Sequence, residues 1–448
     1  MSESLNEIIK IVSPNYFLDE SPEIEKYSVD GKKPNLVALP NTLEEISEII
    51  KIANRDSLAV IPWGGGTKIN LGNLPNKVDV VLCTNKLNQI LEHEDSDLVA
   101  TTQCGISLKE FQKSLREKNQ TLPIDPPHLE KGATIGGIIA TNDSGPKRLR
   151  YGTIHGTLRE LFLGIKVVRP DGEIVKGGAK VVKNVSGYDL PKLYIGSLGT
   201  IGIIAEATFR LYPLPEFSQT YLVNFPRLQT AHETVLSILN SALTPTCLEL
   251  VNLTLSDSIS DKLNLDLKKG EFSLAVRLEN VEKAVKSHVS KLRDIYSEKS
   301  SGSILLEGNS EERFWNEIRE FPWIKTENNR TVCKSSVLIT DIPKVLELLE
   351  ELSRKLGAVI YASARAGNGI LIISIEGETS KLIEATASLR DLVGSLKGTM
   401  LIQQAPQVLK SQIDVWGEIG SSVMIMKKLK SQLDPNCIMN PGRFVGGI

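Results

Sequence analysis

The sequence predicts an α+β fold in two parts, and three observations predict it. At 448 residues the chain is long for one unit, at roughly 150 residues per domain. Up to about residue 213, short apolar runs and candidate helices are mixed without the steady βαβ alternation of a parallel sheet, so α+β is the better class. From about Phe217 the texture changes to β-α-β-β-α-β runs, the element order of ferredoxin-like units.

The first part opens on a capped helix. Asn41-Thr42-Leu43-Glu44-Glu45 precedes Ile46, Ile49, Ile50 and Ala53, an apolar face at helical spacing behind a hydroxyl N-cap. Residues 58–62 read as a short buried strand entering a glycine loop. Residues 107–118 read as a second helix, with Leu108, Phe111 and Leu115 on one face. Residues 163–169 and 173–175 flank Pro170-Asp171-Gly172 and read as a hairpin. In the second part, strands are expected at 221–225, 247–253, 272–278, 332–339, 359–364 and 370–375. Helices are expected at 228–243, 281–296, 343–356 and 381–396. The polar stretch 298–310 reads as a surface loop. The boundary is placed near 213–217.

Charge and cysteine usage narrow the function classes. Lys plus Arg is 52 against 54 for Asp plus Glu, a net charge of -2, which argues against a generally basic nucleic-acid binder. The longest stretch without a charged residue runs from 234 to 248 and contains Pro245, too short for a membrane span. The first ten residues carry acidic groups and no apolar run, so no secretory signal is expected. Five scattered cysteines without a CxxC fit free thiols in a reducing compartment, not an iron–sulfur site. The five histidines form no HxxxH or HExxH pair, and no metal site is read. A cytoplasmic protein is expected, touching a membrane only peripherally and through partners.

Pro62-Trp63-Gly64-Gly65-Gly66-Thr67-Lys68 follows a strand. Three glycines let the backbone turn and aim several N–H groups at one point, and a pyrophosphate is the obvious guest. The Walker A and GxGxxG patterns are both absent. Alone, such a loop is more often a tight turn. Two further segments extend the pattern. Thr134-Ile135-Gly136-Gly137 leads to Ala140-Thr141-Asn142-Asp143-Ser144-Gly145 and then Tyr151-Gly152. Lys183-Asn184-Val185-Ser186-Gly187-Tyr188-Asp189-Leu190 runs on into Gly196-Ser197-Leu198-Gly199-Thr200-Ile201-Gly202. Small residues at so many points point to a backbone lying against a long flat ligand.

In this order, and with the ending Leu433-Asp434-Pro435-Asn436-Cys437-Ile438-Met439-Asn440-Pro441-Gly442-Arg443-Phe444, the chain resembles the FAD-linked oxidases with the vanillyl-alcohol-oxidase (PCMH) type of FAD domain. Within that family its terminus is similar to the FAD-binding E subunits of bacterial glycolate oxidases. The resemblance implies a PCMH-type FAD-binding domain over 1–216, an inserted ferredoxin-like cap or substrate domain over 217–405, and a C-terminal segment, 406–448, returning to the FAD domain. It implies that residues 62–68 wrap the FAD pyrophosphate. His128, Thr134, Gly136, Gly137, Ala140, Thr141, Asn142 and Asp143 are expected along diphosphate and flavin. Leu198, Gly199, Thr200, Ile201, Gly202, Ile203 and Ile204 are expected at the adenine or flavin edge. Where covalent relatives place a His after two glycines, Gly66 stands here, so non-covalent FAD is expected.

One stretch departs from the pattern. D-lactate and glycolate relatives carry GHxGDGNxH in the cap. The comparable Ser363-Ala364-Arg365-Ala366-Gly367-Asn368-Gly369-Ile370 lacks both histidines and the acidic residue. Oxidising a 2-hydroxy acid needs a cation for the carboxylate, a base for the hydroxyl proton and a hydride acceptor. Arg365 and Arg443 are the candidate cations and His128 the candidate base. Each has a plain structural reading as well: a hairpin-tip charge, a C-terminal contact and a backbone-bonded loop residue. Tyr188 and Asp189 are expected to fix the turn before the glycine series.

Three functions remain open at this stage. The first is the FAD-binding subunit of a glycolate dehydrogenase complex, oxidising glycolate to glyoxylate beside a second flavin subunit and an iron–sulfur subunit. The second is a self-sufficient FAD enzyme for another 2-hydroxy acid. The third is a non-catalytic FAD-binding scaffold.

Overall fold

The computed structural model describes residues 2–18, 21–151, 157–179 and 189–448. Gly152 and His155, and the run from Lys183 to Tyr188, lie outside them. The chain divides into two compact units. The first comprises 1–144, 157–214 and 418–448; the second comprises 145–156 and 215–417.

The first unit is built on two sheets. In the smaller, Tyr16–Leu18, Leu36–Ala38, Val80–Cys83 and Val60–Trp63 lie side by side, the last three parallel. The helix Leu43–Arg55 covers it. Thr42 caps that helix by accepting from the Glu45 amide (3.1 Å), and Ile46, Ile49, Ile50 and Ala53 pack against Leu36, Val60, Val80 and Leu82. The larger sheet is antiparallel, in the order Ile90–Glu94, Val99–Gln103, Ile203–Arg210, Phe162–Val168 and Ile174–Gly178. The helix Leu108–Arg116 starts at a capping box between Ser107 and Glu110. It sends Phe111 against Phe209, which also meets Phe162. The last residues rejoin the smaller sheet: the Val60 amide donates to the Ile438 carbonyl at 2.8 Å.

The second unit is one eight-stranded antiparallel sheet made of two similar halves. In chain order the first half contributes Phe217–Phe225, Cys247–Val251, Phe272–Asn280 and Gly302–Leu306. The second contributes Asn329–Ser336, Val359–Arg365, Ile370–Gly377 and Thr399–Gln404. Within each half the spatial order is fourth, first, third, second, the ferredoxin-like order. The halves join where Cys247–Val251 pairs with Val359–Arg365. Side chains alternate across the pleat. Tyr221, Val223, Leu248 and Val276 face one apolar layer with the helices Leu228–Leu239 and Ile342–Leu356, while Leu222, Cys247 and Ala275 face another with Leu255, Phe314 and Trp315.

Three differences from the sequence reading have physical causes. The expected loop at 298–310 holds the strand Gly302–Leu306, which forms the sheet edge and shows little apolar alternation because one side faces water. Two helices, Leu253–Leu263 and Gly308–Glu320, cover a sheet face that the reading left bare. Residues 406–417 group with the second unit, since Leu409 and Val415 are wholly buried in its core.

The short segment after Gly145 also belongs to the second unit. Lys147 Nζ lies 3.1 Å from Glu279 Oε1, and the Tyr151 hydroxyl donates to Glu279 Oε2 at 3.0 Å. Arg277 Nε adds a second cation at 3.1 Å. Burial alone raises the Glu279 carboxyl pKa, but Lys147 and Arg277 hold it below its ordinary value.

Candidate functional site

Within the first unit the glycine segments come together around one open groove. The strand Val60–Trp63 delivers the chain into Gly64-Gly65-Gly66. This loop lies hard against the 132–134 segment: a Cβ on Gly65 would stand 2.0 Å from the Gly132 carbonyl oxygen. Among the described residues, the backbone amides of Gly64, Gly65, Gly66 and Thr67 donate no hydrogen bond within the chain. Four adjacent donors left open at a groove wall form a cradle for an anion.

The opposite wall starts at Thr134, whose hydroxyl accepts from the Gly137 amide at 3.3 Å and caps the helix Ile135–Thr141. Asn142 ends that helix in the left-handed conformation (φ 48°). Asp143 follows, buried, with Lys68 Nζ 2.5 Å from its carboxylate. The second glycine series docks along the same helix, the Gly196 amide donating to Ile139 O (2.9 Å) and the Leu198 amide to Ala140 O (2.8 Å).

The C-terminal segment ties these walls together. Lys430 is buried, and its ammonium donates to Thr200 O (2.7 Å), the Asp434 carboxylate (2.6 Å) and Met439 O (2.9 Å). Asp434 accepts in turn from the Ile438 and Met439 amides, at 3.1 and 2.9 Å. Asn440 donates to Leu198 O at 2.6 Å. Arg443 is 1% exposed and donates to Asn440 Oδ1 (3.2 Å), Leu71 O (2.6 Å) and Ile69 O. Burial lowers its pKa to about 10, so it stays a cation at neutral pH.

Of the expected cofactor residues, the groove is lined by residues 62–68 and by Thr134, Gly136, Gly137, Ala140, Thr141, Asp143, Leu198, Gly199, Gly202, Ile203 and Ile204. His128, Asn142, Thr200 and Ile201 lie behind this lining. Ile69, Thr84, Pro127, Ile138 and Asn440 line it unanticipated. Of the three candidate catalytic residues, Arg443 is in the lining, and Arg365 is in the second unit, its Nε 3.8 Å from Glu249 Oε1. His128 is 4% exposed in the left-handed conformation (φ 66°) and accepts from the Lys131 and Ala133 amides through its carbonyl, both at 3.1 Å. Burial, then the charges of Lys68 and Lys131, lower its pKa to about 4. It is neutral at pH 7 and a weak base. Asp189 stands before the short helical turn Leu190–Leu193 and pairs with Lys192 at 2.5 Å. Asp434 belongs to the ending quoted above, but its pairing with Lys430 escaped the sequence reading because an i,i+4 spacing reads as an ordinary surface pair.

The comparisons with known proteins agree with this geometry. A family described as FAD binding domain matches residues 34–178, and one described as FAD linked oxidases, C-terminal domain, matches residues 214–444, more than half of the chain. The chain belongs to the FAD-linked oxidase family. It is an FAD-linked oxidoreductase with a two-domain fold of the PCMH type, and its cofactor is FAD. This oxidase is 27% identical to the glycolate oxidase subunit GlcD of Bacillus subtilis, over 98% of this chain and 96% of that protein. It is 28% identical to a D-lactate dehydrogenase of Archaeoglobus fulgidus, over 99% and 98%. Its fold matches p-cresol methylhydroxylase with substrate bound at a TM-score of 0.76 and 16% identity, over 98% and 96%.

The oxidase's own residues fit the flavin dinucleotide. The groove is long and mostly apolar, the open amides of 64–67 suit a pyrophosphate, and Lys68 brings a cation to the same wall. Among the described residues no His, Cys or Tyr lines the groove. No described helix is long and apolar enough to cross a membrane.

Proposed function

We propose that this oxidase oxidises glycolate to glyoxylate as the FAD-binding subunit of a glycolate dehydrogenase complex. The observation that carries the reading is the FAD groove with its open amide cradle, in a chain that matches a glycolate oxidase subunit over nearly its whole length. Glycolate and D-lactate, named in the two relatives, are both 2-hydroxy acids. FAD, when bound, supplies the hydride acceptor.

The chain's own part is to hold and to orient. Residues 64–67 would take the pyrophosphate on backbone N–H groups, with Lys68 beside them. Thr134 and the helix it caps would set the facing wall. Arg443 would keep 69–71 against the C-terminal segment, since its guanidinium is bonded to their carbonyls. Neutral His128 would shape the loop behind the groove, because a group with a pKa near 4 takes a proton poorly at pH 7. Partners supply what this chain lacks: a second flavin subunit carrying the histidine motif and an iron–sulfur subunit. The E-type assignment within the complex rests on the chain's ending and on the absent histidine pair. A self-sufficient 2-hydroxy-acid dehydrogenase is the second reading. It is favoured by the match to a protein named simply a D-lactate dehydrogenase.

The test is an anaerobic titration of the FAD-loaded chain with glycolate, followed by flavin absorbance. Bleaching that appears only when the partner subunits are added supports the complex. Bleaching of the chain alone supports the second reading. A flavin that stays oxidised with glycolate and D-lactate, partners present, overturns 2-hydroxy-acid oxidation.

A further inference from the structure

The second unit has a pocket of its own. It lies between the helices Leu253–Leu263 and Gly308–Glu320, the turn Phe321–Trp323 and the sheet face that carries Tyr361. Leu255, Ile259, Phe321 and Ile324 give it an apolar wall, which the Tyr361 ring extends.

The two carboxylates of the pocket already have partners. Arg330 Nε donates to Glu376 Oε1 at 3.0 Å, its Nη2 to the same oxygen, and its Nη1 to Pro322 O (3.0 Å) and Ile324 O. The Thr326 hydroxyl donates to Glu376 Oε2 at 3.2 Å. These bonds stitch the 321–326 segment to the sheet and fix the shape of the pocket. Glu317 takes the Lys262 ammonium at 3.0 Å. Several donors remain open. Among the described residues, the Tyr361 and Ser258 hydroxyls bond to nothing in the chain, and Lys325, which is exposed, forms no ion pair. Burial, then the charge of Glu376, raise the Tyr361 pKa, so the hydroxyl keeps its proton at neutral pH and can donate.

Of the three cations in the lining, Glu376 matches Arg330 and Glu317 matches Lys262; Lys325 is left over. An apolar wall beside open donors and a spare ammonium calls for a guest with an apolar body and an oxyanion.

We propose that this pocket binds a small carboxylate with a ring or branched-chain body. The body packs on Leu255, Ile259 and Phe321. The carboxylate accepts from the Tyr361 hydroxyl and from the Lys325 ammonium. A guest held there bridges the helix Leu253–Leu263, the 321–326 segment and the sheet. The site is an effector site of the second unit, and it stands whether or not the chain oxidises a 2-hydroxy acid.

The experiment uses the full FAD-loaded chain, with benzoate and 4-methylpentanoate as probes and benzyl alcohol as the uncharged control. Binding is read by calorimetry, and flavin absorbance is followed on the same samples. At least one acid is expected to bind without moving the flavin band, and benzyl alcohol to bind more weakly than benzoate. Tyr361→Phe keeps the ring and removes the hydroxyl. It is expected to weaken the acid about 10- to 100-fold, the range for a hydrogen bond to a charged group. Ser258→Phe fills the pocket from a half-buried position and is expected to abolish binding. Melting temperatures of both variants separate misfolding from lost binding, and if one fails to fold the other decides. The site is overturned if neither acid binds wild type, if the acid binds only with a shift of the flavin band, or if a folded variant keeps wild-type affinity. Benzyl alcohol binding as tightly as benzoate overturns the carboxylate.

Discussion

His128 shows how one buried ring acquires a consequence for the whole protein. It sits at φ 66°, where a side chain is tolerated only locally, and its pKa is about 4 against an ordinary value of 6.5. The unfolded chain therefore binds more protons than the folded one between those two values. Its contribution to stability is fully present above pH 6.5 and is lost as the pH falls toward 4. The loss amounts to about 3 kcal/mol at most. His128→Asn keeps a residue that accepts the left-handed conformation but cannot titrate. Urea unfolding between pH 7 and pH 4.5 should give a shallower acid-side decline for the variant than for wild type. Parallel curves would show that the ring is not what senses the pH. This residue was legible in the sequence only as a histidine of ordinary basicity. Lys131 is near in the chain, but the burial of the ring and the charge of Lys68 come from tertiary packing, so no local pattern could reveal the shift.

At the scale of an element, the C-terminal helix Ser422–Leu433 and the turn after it act through one buried ion pair. Lys430 and Asp434 join the turn at Thr200, behind the groove lining, to the returning segment at Met439. Removing one partner of such a pair leaves the other charge buried, at a cost of about 3–5 kcal/mol. Asp434→Ala should lower the unfolding free energy from denaturant titration by that amount and release FAD more readily, since Thr200 sits in the turn that carries Leu198 and Gly199. A change below about 1 kcal/mol would mean that water replaces the carboxylate and that the pair is not a structural tie. Elements whose signals are local were the legible ones. Thr42 and Ser107 cap their helices from the side chains that the sequence displays. The helix Leu253–Leu263 carried such a signal too, in Asn252, which accepts from the Leu255 amide at 3.2 Å. The edge strand Gly302–Leu306 carried none, because its register is set by Phe217–Phe225 alone. The glycine loops of the groove were legible because a close backbone approach demands small residues. The tie behind them was not, because an ion pair reads the same buried or exposed.

The whole molecule is two units, each with its own core. Helix Leu43–Arg55 and the Phe111–Phe209–Phe162 cluster close the cores of the first, and the two helical layers close those of the second. The four sites at which the chain passes between units, at 144, 156, 214 and 417, are set by tertiary packing. Only the one at 214 coincides with a visible change in sequence texture. Units with separate cores can unfold separately. Among the described residues the groove proposed for FAD is lined by the first unit, so mass action is expected to act on that unit. At one hundred times the dissociation constant the gain is about 2.7 kcal/mol. For units of this size that raises the midpoint by roughly 5–10 °C. Scanning calorimetry of the apo chain at increasing FAD should therefore resolve two transitions, one rising with cofactor and one fixed. The fixed transition would belong to the eight-stranded sheet and to the segment holding Lys147 and Arg148, which is tied to that sheet at Glu279. A single transition that moves as a whole with FAD would show that the two cores fold as one, and that a substitution at Glu279 reaches the cofactor through stability alone.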